Sequence, residues 1–195
     1  FAYFLSKTPL HSIQDLRKIK SWLRRDDKIA RAMQEGLGMS GVPLGVPQVM
    51  SALQTGRISA CSGSPMVAVA LQWSNKVKYM SKMPFTYTIG STIIRADSLA
   101  DASDADRAVE QKISKEVGRR LRKNVRRDNR EAYQLLARRG IKIMDPPAAL
   151  VAAVDDVAKK VWKDLVGSVY TQKELDMVLK YRDEYRDKKK AKAAK

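Results

Sequence analysis

The chain has 195 residues, 44% of them apolar, which suffices for one large domain or two small lobes and excludes a wholly disordered polypeptide. Its formal net charge of +17 draws it to anionic surfaces without fixing a fold, and its single cysteine, Cys61, excludes an internal disulfide while leaving the compartment open. No run of 18 apolar residues is present, so no membrane-spanning helix is expected.

Residues 1–10 lack the basic, apolar and small-residue layout of a secretory signal. Phe1, Tyr3 and Leu5 alternate, so residues 1–6 read as a strand entered midway, and the chain as the later part of something longer. Pro9 stops regular pairing, Ser12 caps a short helical turn, and residues 19–23 make a brief strand. Asp26 or Asp27 caps a helix to about Glu35, with Ile29 and Met33 inward, ended by Gly36 and Gly38. Residues 42–46 suit a short edge or parallel strand. Pro47 opens the next helix, striped by Val49, Met50 and Leu53 and closed by Gly56. Residues 58–61 form a strand, residues 62–65 (SGSP) a turn, and Pro65 opens a helix over 66–75 that carries a buried Gln72-Trp73 pair. The stretch 46–80 therefore reads as the floor of a ligand cleft, with a small polar turn between apolar elements.

Residues 84–95 carry the clearest strand pattern: Phe85, Tyr87, Ile89, Ser91 and Ile93 alternate with Thr86, Thr88, Gly90 and Thr92. Twelve residues are about twice the usual strand length, as expected of a strand crossing between two lobes. From Ser103 to Arg139 the pattern is helical, with Val109, Ile113, Val117, Leu121 and Val125 at intervals of four. Uninterrupted by proline, it predicts a helix of roughly 55 Å. Gly140 ends it, residues 141–144 form a strand, and Pro146-Pro147 open a helix over 148–165 with Val151, Val154, Val157, Val161 and Trp162 inward. Thr171 caps a last helix to about Asp187, followed by a solvated basic tail, KKKAKAAK. Strands alternating with helices and then mostly helix give an α/β fold with a helical extension.

No constellation in this sequence supports catalysis, a metal or a cofactor. The lone His11 has no cysteine or carboxylate at metal spacing, there is no P-loop or dinucleotide-binding glycine pattern, and SGSP is not a nucleophile elbow. Asp26-Asp27 and Asp155-Asp156 are sequence neighbours whose side chains diverge. Seven cations fall between Arg119 and Arg130, but they spread around the helix with Tyr133 as the nearest aromatic. That distribution describes a solvated helix surface, and no specific nucleic-acid binding is expected. Helix starts after Asp26/Asp27, Pro47 and Pro65 each follow a short strand, where free N–H groups suit an anionic or carbonyl ligand group. Trp22, Trp73 and Tyr87 could wall such a site; plain core packing is the alternative for each.

The stretches SIQDLRKIKSW (12–22), VPLGVPQVMSALQTGRISACSGSP (42–65), ALQWSNKVKYM (70–80) and ARRGIKIMDP (137–146) resemble TRAP-transporter periplasmic solute-binding proteins of the DctP type. The resemblance implies an α/β, periplasmic-binding-protein-like, two-lobed architecture with the N-terminal part of the first lobe absent and long C-terminal helices. Residues 12–84 would form the second lobe and cleft floor. Residues 1–11 and 85–150 would supply hinge strands, the long connecting helix and the rest of the first lobe, and residues 151–195 the C-terminal helices and basic tail. It further implies a periplasmic, non-enzymatic protein that captures a small organic solute between the lobes and delivers it to TRAP membrane permease subunits. The carboxylate-clamping arginine of the family falls on Trp22, its second cleft arginine near Ala2, its binding-turn asparagine on Ser64, and its Val-Asp-Gly on Ile58-Ser59-Ala60. An indole cannot replace a bidentate guanidinium. The expected solute is therefore a larger or less charged compound in an aromatic-walled site; the alternative is an organic acid held by a substitute cation, Arg24 or Arg25, although an exposed helix-start role suits those two arginines better. The expected lining is Trp22, Arg24, Ser64, Gln72, Trp73 and Tyr87. Trp22 and Trp73 lying far apart, or in separate interiors with no hollow between, would argue for dropping the transport reading. The alternative is a basic structural or nucleic-acid-binding subunit that reuses the fold.

Overall fold

A computed structural model describes residues 1–193. In chain order the elements are β1 (Ala2–Ser6), α1 (Ile13–Lys18), β2 (Lys20–Arg24), α2 (Lys28–Gly36), β3 (Ser40–Leu44), α3 (Val49–Thr55), β4 (Ala60–Gly63), α4 (Pro65–Ala70), β5 (Tyr79–Thr86), α5 (Asp104–Arg138), β6 (Lys142–Met144), α6 (Ala148–Asp164) and α7 (Gln172–Ala193). They gather into two compact units: Phe1–Pro9 with Met50–Asp145, and Leu10–Val49 with the chain from Pro146 onward. Residues 12–49 and 50–84, read together from the sequence as one lobe, fall in different units.

In the first unit β1 is antiparallel to β4 on one side and to β5 on the other, and β6 adds to β5 in parallel. Leu5 faces Cys61 across one ladder and Met80 across the other. Consecutive residues of a strand point to opposite faces, so the burial of both Phe4 and Leu5 marks β1 as covered on both sides. α5 packs on α4, and Ala132 and Leu136 are its buried residues. Its start is a reciprocal cap: Ser103 Oγ accepts from Asp106 N at 3.2 Å while Asp106 Oδ2 accepts from Ser103 N at 3.2 Å. Gly140, at φ +84°, follows its end in the left-handed conformation.

In the second unit β2 and β3 run parallel, Lys20 opposite Ser40 through Arg24 opposite Leu44. Pro43, which has no N–H to donate, is tolerated in this short outer strand. α2 lies close on α6: a Cβ on Gly36 would come within 2.9 Å of Val157 Cγ1. α1 begins on Ser12 and α7 on Thr171, each with an acidic residue three positions on that completes the cap.

Several expectations are corrected. Residues 84–95 are not one long strand. β5 begins at Tyr79 and ends at Thr86, and residues 87–95 form no strand, because alternation alone cannot satisfy backbone groups without a partner. The helix from Pro65 stops at Ala70 rather than Asn75, since Gln72 turns left-handed and a 3₁₀ turn follows over Trp73–Lys76. Ile29 and Val151 are exposed; Met33 on α2, and Leu150 and Val161 on α6, face the interior. α7 continues to Ala193, so most of the expected tail is helical, with residues 194–195 outside the described residues. Among the described residues no helix is long and apolar enough to cross a membrane.

Candidate functional site

The residues expected to line a site divide between the two units. In the second, β2 carries Trp22 and ends on Arg24. Trp22 is 8% exposed, its indole Nε1 donates to Leu44 O at 2.9 Å, and its own carbonyl accepts from Gln34 Nε2 at 3.0 Å. The indole thus ties the end of β3 to β2, and its one polar atom is used inside the unit. Arg24 is exposed and sits 3.6 Å from Asp27. Asp27 caps α2 by accepting from Ala30 N at 2.9 Å. Arg24 is therefore a cation at a helix start, with its guanidinium largely in solvent.

In the first unit Ser64, Gln72 and Trp73 surround α4. Ser64 is its N-cap, with Oγ accepting from Val67 N at 3.3 Å; Pro65 has no N–H; and Met66 N donates to Asn129 Oδ1 of α5 at 3.3 Å. These N–H groups, expected to be free for a ligand, are already taken. Asn129 was missed because its role depends on a contact 63 positions away, and only its compatibility with capping is visible in the sequence. A similar local cap closes the start after Gly45, where Gln48 Oε1 accepts from Gly45 N at 3.0 Å.

The Gln72-Trp73 pair is not buried as a pair. Gln72 is exposed at φ 59°, ψ 15°, the one non-glycine residue with positive φ among the described residues. This left-handed step ends α4 and turns the next side chain inward, so Trp73 is 1% exposed and packs on Gly63, where an added Cβ would lie 3.1 Å from its ring. Trp73 supports the turn from within and has no surface to offer a solute. Tyr87, by contrast, is 60% exposed and meets Phe1 edge-on, ring centroids 5.2 Å apart. The two indoles expected to form facing walls are both buried, one in each unit, so they carry no argument for an aromatic-walled site.

A groove of about 430 Å³ opens between α4 and α5, floored by Met66, Val69, Ala132 and Leu135 and rimmed by Asp128, Glu131 and Arg138. None of the six expected residues lines it, and two carboxylates against one guanidinium disfavour an anion there. Among the described residues no group of three or more His, Cys, Asp or Glu could hold a metal ion. The buried Cys61 thiol is pushed well above its ordinary pKa by desolvation and stays protonated.

The family model described as bacterial extracellular solute-binding protein, family 7 (DctP), matches residues 1–168. No curated protein sequence matches the chain. Solved structures of low identity share its fold. A TRAP periplasmic solute-binding protein from Desulfovibrio desulfuricans with bound sn-glycerol-3-phosphate is 19% identical, covers 95% of this chain and 58% of its own, and superposes with a TM-score of 0.80. One from Haemophilus influenzae RdAW with bound L-gulonate is 13% identical over 94% of this chain and 59% of its own, TM-score 0.79. An apo, open one from Citrobacter koseri is 18% identical over 94% and 60%, TM-score 0.74. The present chain thus has the mixed α/β fold of TRAP solute-binding proteins and spans 58–60% of the length of these three.

Proposed function

The chain belongs to the DctP family of bacterial extracellular solute-binding proteins, and from that premise we propose that it acts in the periplasm as a non-enzymatic binder of a small organic acid, handing it to TRAP membrane permease subunits. The observation that carries this reading is the family match over residues 1–168. Two considerations favour an acid over a more apolar solute. The expected aromatic walls, Trp22 and Trp73, are buried and offer no surface to an apolar compound. The formal charge of +17 attracts anions, and two structures of this fold hold sn-glycerol-3-phosphate and L-gulonate, both polyhydroxylated anions.

Arg24 is the substitute cation we propose for the solute carboxylate. Its guanidinium is exposed and only loosely held by Asp27 at 3.6 Å. Ser64, already engaged as a cap, and Gln72 and Tyr87, both exposed, stand as weaker candidates, and Trp22 and Trp73 as internal supports.

Thermal unfolding of the protein encoded by the whole reading frame tests the function against hexuronates, aldonates and sn-glycerol-3-phosphate, with neutral sugars as controls. An acid at 100 times its Kd should add about 2.7 kcal/mol of stability, and Arg24→Ala should weaken its binding at least tenfold. Absence of any acid response, together with tight, steeply salt-dependent DNA binding, would favour the basic nucleic-acid-binding alternative.

A further inference from the structure

α7 lies wholly beyond residues 1–168, the part of the chain that matches the family model, and its surface divides into three sides. At about 100° per residue, Leu175, Leu179 and Arg182 share the inner side. Leu175 is buried, Leu179 and Arg182 are half-buried, and the Arg182 guanidinium lies 5.6 Å from the centroid of the Trp162 ring on α6. The acids Asp176, Asp183 and Asp187 share a second side. Met177, Val178, Tyr181 and Tyr185 make the third, roughly 150° round from the acids, and they are 50–69% exposed. The exposed Lys188 and Lys189 continue that third side by one turn. Glu174 falls within it, but its carboxylate is turned back into the helix cap, where it accepts from Thr171 N and Oγ1.

An apolar strip of this kind marks a contact surface, and the sorting of charge says with what. A tyrosine ring with its polar tip suits the boundary between lipid headgroups and water. Met177 and Val178 add apolar area beside the rings, and lysines lay an apolar stem along such a surface while the ammonium reaches the phosphates. The acids lie across the helix, about 10 Å away and beyond the roughly 8 Å Debye length of physiological salt. No described helix is apolar enough to cross a bilayer, and one with this division of sides lies along it. We propose that the Met177–Tyr181–Tyr185 side of α7 docks on an anionic phospholipid surface, with Lys188 and Lys189 on the phosphates. A nucleic acid would use the lysines but leave Met177 and Val178 without a contact, since phosphates are met by cations and hydrogen-bond donors. The formal charge of +17 aids approach to such a surface without choosing the side presented. Docking does not depend on which solute is bound.

Vesicle co-sedimentation of the protein encoded by the whole reading frame tests it, comparing phosphatidylcholine vesicles with vesicles that also contain phosphatidylglycerol. Partition should be about tenfold or more stronger on the anionic vesicles. Lys188→Gln and Lys189→Gln should each weaken it about fivefold, and the pair Tyr181→Gln and Tyr185→Gln by about as much or more. Asp176→Asn, on the acidic side, should change it by less than about twofold. All these sites are exposed, and an unchanged far-UV circular dichroism spectrum checks that the variants keep the fold. Equal partition into both kinds of vesicle, or full binding by the tyrosine variant, would overturn the proposal. A gain with Asp176→Asn as large as the loss with Lys188→Gln would reduce the effect to net charge and overturn it as well. Self-association without vesicles, or tight binding of duplex DNA, that the same tyrosine and lysine substitutions abolish would assign this side to a second copy or to nucleic acid instead.

Discussion

The two ends of α5 carry the same kind of apolar spacing and meet different surroundings. Towards its C-terminal end, where α5 packs on α4, Ala132 and Leu136 are buried, whereas Val109 through Val125 leave roughly half of each side chain in water. The helix forms in both places, since its cap and the absence of proline from Asp104 to Arg138 are local properties. Burial depends on a neighbour, and so does nearly all the stability that burial confers. A periodic stripe thus states that a helix will form and that one face seeks a partner.

The largest effect should come from substituting across this contrast. Leu136→Ala, at a fully buried site, should cost about 2–5 kcal/mol, and Val117→Ala within about 0.5 kcal/mol, both read from urea unfolding with m-values checked for constancy. Similar costs at the two positions would show that the stripe is already packed. Next, Gly63→Ala places a methyl 3.1 Å from the rigid Trp73 ring and should destabilise by about 1–3 kcal/mol. A neutral result would mean that the indole is looser than its burial implies.

A smaller loss, about 0.5–1 kcal/mol, is expected for Asn129→Ala, which removes the acceptor for Met66 N while leaving Ser64 to cap α4. A double cycle with Ser64→Ala would show whether the two caps act independently. The smallest effect concerns the exposed start of α5. Hydrogen bonds from the Ser103 hydroxyl and then the Ser103 N–H hold the Asp106 carboxyl below its ordinary pKa. A depressed pKa contributes stability that is present above the unfolded value, about 4, and is lost as pH falls through the lower folded one. Amide shifts of residues 103–107 should therefore show the helix start loosening in acid, and Asp106→Asn should abolish that dependence.

The strand-like segments repeat the lesson. Residues 1–6 and 84–95 carry the same alternation, yet one became a doubly covered strand and the other stopped at Thr86. Pairing requires a second backbone, and no pattern within the segment reveals whether one is present. The proposed site shows the same division. That Pro65 opens α4 was legible, as was the breadth of the family resemblance. That Asn129 fills the remaining donor, and that Gln72 turns left-handed to swing Trp73 inward, was not, because both depend on contacts with residues outside the local window.

What the amino-acid sequence determined by itself was local: the starts of α1, α5 and α7 on Ser12, Ser103 and Thr171, the end of α5 at Gly140, the charge, and the motifs shared with a family. These depend on side chains within three or four positions of one another. Tertiary structure alone decided which apolar faces are covered, which strand continues and which indole is inaccessible, because burial and ladder pairing depend on groups distant in the chain.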